Sequence, residues 1–399
     1  MLLFFSWQTI GIAAFGNAPS ALIPGIVLIT VLGGISGYCF SLLGRVCAYT
    51  KSYSYKEAWE KTVGESTGWI PATACTFMTF AAVLAYSMIL ADTFKMLAAT
   101  AGYAVTRTQS LFGITGLVLL PLCLLKNLAS LAPFSLLGII GMTYTTFAMA
   151  IRYFGGAYKL PAGRFVADIA SEFKPSFGDV GAAGALGPKS FILISMLSTA
   201  YMAHFNAPKF YNELKNNTIE RYNIVVSSSF GLSIALFIAV ACFGFLTFGQ
   251  NASGLILNNY ATKDVLASFT RIAVAVSIVF SYPLNFAGLR DGIMDMASIS
   301  QEKRTNSLIN KVTLALLSII TGLALKVKDL SFVLSFGGAT IGNSLIYIFP
   351  SLMFRATVNK MSDASGALKK EAKGVMGAAF LGVIMSIIGS VMAIKSTTA

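Results

Sequence analysis

Ten separate runs of this chain are each long and apolar enough that lipid, not water, accounts for them. A helix crossing about 30 Å of hydrocarbon needs about 20 mostly apolar residues. Such runs stand at 21–43, 69–96, 110–125, 131–151, 190–210, 222–248, 265–289, 308–325, 330–354 and 374–394. An earlier run at 1–15 is too short. At 1.5 Å per residue it reaches about 22 Å, so it reads as the second half of a helix. Counting that run as the first span, the sequence predicts about 11 transmembrane helices, because a segment in lipid must satisfy its backbone hydrogen bonds internally. The chain is 56% hydrophobic and only 11% charged, too little charge to cover a soluble domain of 399 residues. An all-α, polytopic membrane protein is therefore expected, with residues 1–399 forming a single transmembrane domain.

The net charge of +13 would suggest nucleic acid in a soluble protein. Here Lys and Arg gather in short segments between the apolar runs, so the partner is the bilayer and no nucleic acid is expected. One set of alternate connections holds seventeen Lys and Arg, the other eleven. The positive-inside rule places the seventeen in the cytoplasm. The longest connection, 152–189, then faces outward and reads as a mobile cover. Cys39, Cys47, Cys75, Cys123 and Cys242 lie in or beside apolar runs without metal-ligand spacing. Neither a disulfide framework nor a metal site is expected. There is no phosphate-binding loop pattern, which argues against an ATP-driven pump. With one His in total, a membrane-embedded metalloenzyme is a weak alternative.

Interrupted membrane helices mark binding sites, because freed backbone groups are tolerated only where they line a cavity. The strongest candidate is 198–208 in the sixth span, where Ser198, Thr199, Tyr201, the lone His204, Asn206 and Pro208 share one apolar segment. One reading is that Pro208 ends the helix and His204 is bonded in the core. The favoured reading is an unwound segment, since polar groups in lipid are costly and usually functional. In the eighth span, Ser277 and Ser281 are one turn apart on one face and precede Tyr282-Pro283. Their oxygens suit a hard cation such as sodium, or merely bond across a helix interface. Arg271 and Asp92 lie near predicted span ends and are expected to snorkel. The glycines of 335–343 in the tenth span point to packing or a gate.

The motifs around these spans resemble the amino acid/auxin permease family, particularly its sodium-coupled neutral amino acid transporter branch. They are Ala200-Tyr201-Met202-Ala203-His204, Phe210-Tyr211-Asn212-Glu213-Leu214, Gly244-Phe245-Leu246-Thr247-Phe248-Gly249, Asn258-Asn259-Tyr260 with Asp264, Arg271 with Tyr282-Pro283 and Arg290, and 124–131 at the fourth-to-fifth junction. The resemblance implies eleven helices in an inverted-repeat (5+5) transporter fold, with the first helix of each repeat broken at the substrate. It implies that Thr199, Ala200, Tyr201, His204 and Asn206 contact substrate, and that Ser277 or Ser281 helps hold a coupling ion beside the first span. It also suggests a pH-responsive role for His204. The implied activity is secondary transport of small neutral amino acids by a monomer, coupled to sodium or protons and needing no other cofactor, in the plasma membrane or a vacuolar or endosomal membrane. Family members start their first helix with a Gly-small-Gly turn and Leu-x-x-Pro, whereas 1–11 has neither. The expectation is a chain that begins inside its first helix; a non-transporting amino acid sensor or inactive relative is the alternative.

Overall fold

The computed structural model describes residues 22–125, 135–177, 190–253, 255–297, 299, 303–327 and 329–398. The first span therefore lies outside the described residues, as do 131–134 of the fifth. Among the described residues the secondary structure is helical apart from one isolated backbone bridge between Ser176 and Gly249. The helices are α1 (Leu22–Thr50), α2 (Tyr55–Thr62), α3 (Trp69–Thr100), α4 (Arg107–Cys123), α5 (Ser135–Phe154), α6 (Ser190–Ala200), α7 (Ala207–Glu213), α8 (Ile219–Phe248), α9 (Val265–Met296), α10 (Asn306–Lys326), α11 (Leu330–Gly337), α12 (Phe349–Lys360), α13 (Gly366–Gly374) and α14 (Met376–Thr398). Among the described residues, seven helices are long and apolar enough to cross a membrane. They outrun the apolar runs by up to two turns, because capped and charged ends continue past the hydrocarbon. Thr218 caps α8 by accepting from Arg221 N, and Thr305 caps α10 by accepting from Leu308 N.

The most extensive packing joins α3 to α9, followed by α5 to α9 and α1 to α8; of these, α3 with α9 and α1 with α8 are the third with the eighth span and the second with the seventh. Partners five spans apart are what two interlocked five-helix units produce. Missing side chains make the α1–α8 contact possible. A Cβ on Gly33 would stand 2.5 Å from Ile234, one on Gly37 3.1 Å from Phe230, and one on Gly44 2.1 Å from Tyr222. Small residues at such spacing let membrane helices approach closely where no hydrophobic effect drives them together. Further ties run within one face of the bundle, not between faces. On the face with the richer basic connections, Arg45 meets Glu371, Asn212 meets the carbonyl of Ser52, and Lys360 meets that of Lys61. On the other, Arg152 meets Asp264 and Arg107 meets the carbonyl of Ala324. These contacts group the connections into the same two sets as the alternation of the spans.

Candidate functional site

The sixth span is two helices. α6 stops at Ala200, Tyr201–Ala203 leave the helical path, 204–206 form a single 3-10 turn, and α7 begins at Ala207. Pro208 sits in the first turn of α7, where its missing N–H costs nothing. The reading that Pro208 terminates the helix is corrected, since it starts the second half. The broken segment is buried among other helices: Thr199 is 4% exposed, Ala200 1%, and Tyr201 and His204 0%, while Asn206 is half-buried.

The polar side chains at the break are tied to two neighbouring spans, the second and the tenth. Tyr201 donates to the carbonyl of Ile29 on α1 at 2.9 Å, and Thr199 Oγ1 to that of Leu334 on α11 at 2.7 Å. Ser198 Oγ donates to Asn343 Oδ1 at 2.6 Å. His204 Nε2 lies 3.0 Å from the carbonyl of Ser36. A carbonyl only accepts, so Nε2 carries the proton and Nδ1 is left with a bare lone pair. That Nδ1 is buried and has no hydrogen-bond partner among the described residues. The ring meets Phe40 edge-on, with centroids 5.3 Å apart. Ser36 Oγ also pairs with Tyr347 Oη at 3.0 Å. Ser36 and Tyr347 were not foreseen, although a serine between Gly33 and Gly37 in an apolar helix is a signal that could have found the first of them.

The tenth span explains its glycines. α11 runs into α12 through two π-helical stretches, Gly338–Gly342 and Ser344–Ile348. A Cβ on Gly338 would fall 2.0 Å from the carbonyl oxygen of Ser195 and 2.5 Å from Thr199 Oγ1. The glycines therefore serve close approach to the end of α6, and the π turns aim Asn343 at Ser198. Such turns recur at functional sites.

Ser277 and Ser281 lie on α9 as expected, but the structure gives them different neighbours. Ser277 is 3% exposed and packs against Gly138 of α5, whose added Cβ would stand 2.8 Å from its Oγ. Ser281 is half-buried, and its carbonyl accepts from Asn285. The structure does not bring either serine to the described part of the break. Tyr282 ties α9 to α3 through Ser87 at 3.0 Å.

The snorkelling expectation for Arg271 is corrected. It is 1% exposed, and its guanidinium donates to the carbonyls of Leu257, Tyr260 and Ala261. The 3-10 turn Ile256–Asn259 folds back over the outer end of α9, so water is replaced by backbone carbonyls. Asp92 is half-buried and pairs with Arg107 at 2.7 Å. The first part of the outer connection is likewise pinned, contrary to a mobile cover. Tyr158 and Phe165 are buried, and Asp264 accepts from Arg152 at 2.7 Å, from the Tyr158 hydroxyl at 2.8 Å and from Ala267 N as the cap of α9. Burial, and next the nearby Asp264, push the Tyr158 phenol above its ordinary value. A cavity of about 430 Å³ opens between the outer ends of α3 and α9, lined by Ala99, Thr100, Lys263 and Phe269 among others, and shares no lining residue with the break.

A bundle of membrane-crossing helices with one buried, polar, interrupted helix is the architecture of a carrier. The chain belongs to the family described as transmembrane amino acid transporter protein, whose pattern matches residues 14–395. It is a multi-pass amino acid transporter and not an enzyme, as the resemblance implied. A Danio rerio protein named as a candidate sodium-coupled neutral amino acid transporter 11 is 27% identical over 353 residues, covering 87% of this chain and 75% of that one. Vacuolar amino acid transporter 5 of Schizosaccharomyces pombe is 25% identical over 318 residues, covering 77% and 72%. An amino acid transporter of Arabidopsis thaliana is 24% identical over 396 residues, covering 93% and 76%.

Proposed function

We propose that this chain is a monomeric secondary transporter that moves small neutral amino acids by alternating access, coupled to sodium or protons. The observation that carries the reading is the break at Tyr201–Ala203, held inside the protein by hydrogen bonds to α1 and α11. Where a helix stops in the membrane, its carbonyl end carries a partial negative charge that attracts an ammonium group or cation. Thr199, Ala200, Tyr201, His204 and Asn206 are the proposed substrate contacts. A small amino acid suits them, since Thr199, Tyr201 and His204 are already engaged by neighbouring helices. For the coupling ion we propose Ser281 first, because Ser277 is spent on packing against α5. The names of the relatives, one sodium-coupled and one vacuolar, support these ions and either a plasma or a vacuolar membrane.

The test is uptake of labelled neutral amino acids into liposomes holding the purified chain, under an imposed sodium or proton gradient. Gradient-driven accumulation is expected, with Thr199→Val lowering kcat/KM about tenfold, equivalent to losing one hydrogen-bonding group of about 1.4 kcal/mol. Ser281→Ala is expected to raise the ion concentration needed for half-maximal uptake. Binding without any flux would replace the transporter reading by a sensor.

A further inference from the structure

The inner face carries three short helices with lysines, and in two of them each lysine has an acid one turn away. On α2, Lys56 pairs with Glu60 and Lys61 with Glu57; on α7, Lys209 pairs with Glu213. α13 is different. At 3.6 residues per turn, Lys369, Lys370 and Lys373 fall within one third of its circumference, and all three are exposed. The opposite face holds Leu368, Ala372 and Val375, which pack into the core. The helix's single acid, Glu371, is on that inward face. Its carboxylate accepts both Arg45 Nη atoms at 2.6 and 2.8 Å and the Tyr38 hydroxyl at 2.8 Å. Arg45 is in turn held over the Phe354 ring at 4.4 Å. Among the described residues none of the three lysines has an ion-pair partner, and Asp363 just before the helix makes no pair with them.

We propose that Lys369, Lys370 and Lys373 form a docking face for anionic phospholipid headgroups of the inner leaflet. Depth commits the occupant to lipid. α13 hands over at Val375 to α14, whose Phe380, Val383 and Ile387 are exposed, so the lysines lie about two turns above lipid-facing apolar surface. A basic side chain near an anionic bilayer surface is attracted at short range, and three on one face act together. Turning Glu371 into the protein removes the one charge on this helix that would repel a phosphate. The same contact to Arg45 fastens the lipid-facing helix to α1. This inference does not depend on the transport reading.

The experiment is thermal unfolding of the purified full chain in detergent, titrated with short-chain phosphatidylserine, with phosphatidylcholine and with inorganic phosphate. Phosphatidylserine is expected to raise the midpoint, and the other two are not. Replacing the three lysines by Gln should weaken the apparent affinity for phosphatidylserine at least about tenfold, and replacing them by Arg should preserve it. The inner-face control Lys215→Gln, Arg221→Gln and Lys311→Gln removes the same net charge and should leave the affinity unchanged. High salt should erase the shift in the native chain, a measurement that holds even if a variant folds poorly. Equal shifts with inorganic phosphate or phosphatidylcholine, full affinity in the triple Gln variant, or a salt-insensitive shift would each overturn the proposal.

Discussion

Gly44 and Gly34 differ in sequence position by ten residues on α1 and in consequence far more. A Cβ on Gly44 would lie 2.1 Å from the buried ring of Tyr222, whereas one on Gly34 meets nothing within 4 Å. Gly44→Ala should therefore cost about 1–3 kcal/mol by overpacking, seen as a lowered unfolding midpoint, while Gly34→Ala should be neutral or slightly stabilising. Tyr158 offers a second contrast. Its hydroxyl donates to Asp264 and accepts from Ala261 N, so Tyr158→Phe strands a buried N–H at about 1–3 kcal/mol. The phenol's raised pKa means its contribution is fully present below the unfolded value of about 10 and fades as pH climbs beyond it. The stability gap between native chain and Tyr158→Phe should stay flat through the neutral range and narrow only in strong alkali. Which residues were polar in a membrane was readable from the chain. Which of them face each other was not: Arg271 looked like a snorkelling end residue because helical spacing does not show that the turn 10 to 14 residues before it folds back over the start of α9.

At the scale of elements, α9 depends on its cap. Asp264 is fully buried, caps the first turn and neutralises Arg152, whose side chain is 17% exposed. Asp264→Asn keeps an oxygen that can cap the first turn but leaves the Arg152 guanidinium without its counter-charge, so it should destabilise by about 3–5 kcal/mol. Arg152→Gln should cost less, since Tyr158 and Ala267 still serve the carboxylate. Unfolding midpoints of the two variants compared with the native chain decide the order. The interruption of the sixth span was legible from the crowding of hydroxyl, imidazole, amide and proline groups in 198–208. Its mechanics were not: Pro208 begins the second half, and the ties at Ile29, Leu334 and Asn343 come from helices whose proximity no local pattern encodes.

For the molecule as a whole, the placement of basic residues and the grouping of contacts agree on which connections share a face. Single cysteines at Lys263 and at Lys370, in a chain whose own five cysteines are replaced, should react with an impermeant maleimide from opposite sides of sealed vesicles. Labelling of both from one side would undo the span assignment. The five-apart pairing of α1 with α8 and α3 with α9 makes the interrupted helix part of an interlocked bundle, so rocking one unit on the other would move the Ser36 and Ile29 contacts together.

The amino-acid sequence alone determined that this protein is a stack of membrane-crossing helices, where its loops fall, and that the sixth span is the strongest candidate for a break. It could do so because hydrocarbon imposes length and apolarity on each segment independently, and because polar groups in lipid stand out against that background. Only the tertiary structure decided what the polar groups hold. Ser277 was diverted to packing against Gly138, Arg271 found three backbone carbonyls, and Glu371 turned inward to Arg45. Hydrogen bonds are short-ranged and directional, and their partners here lie up to 333 residues apart, where helical spacing carries no information.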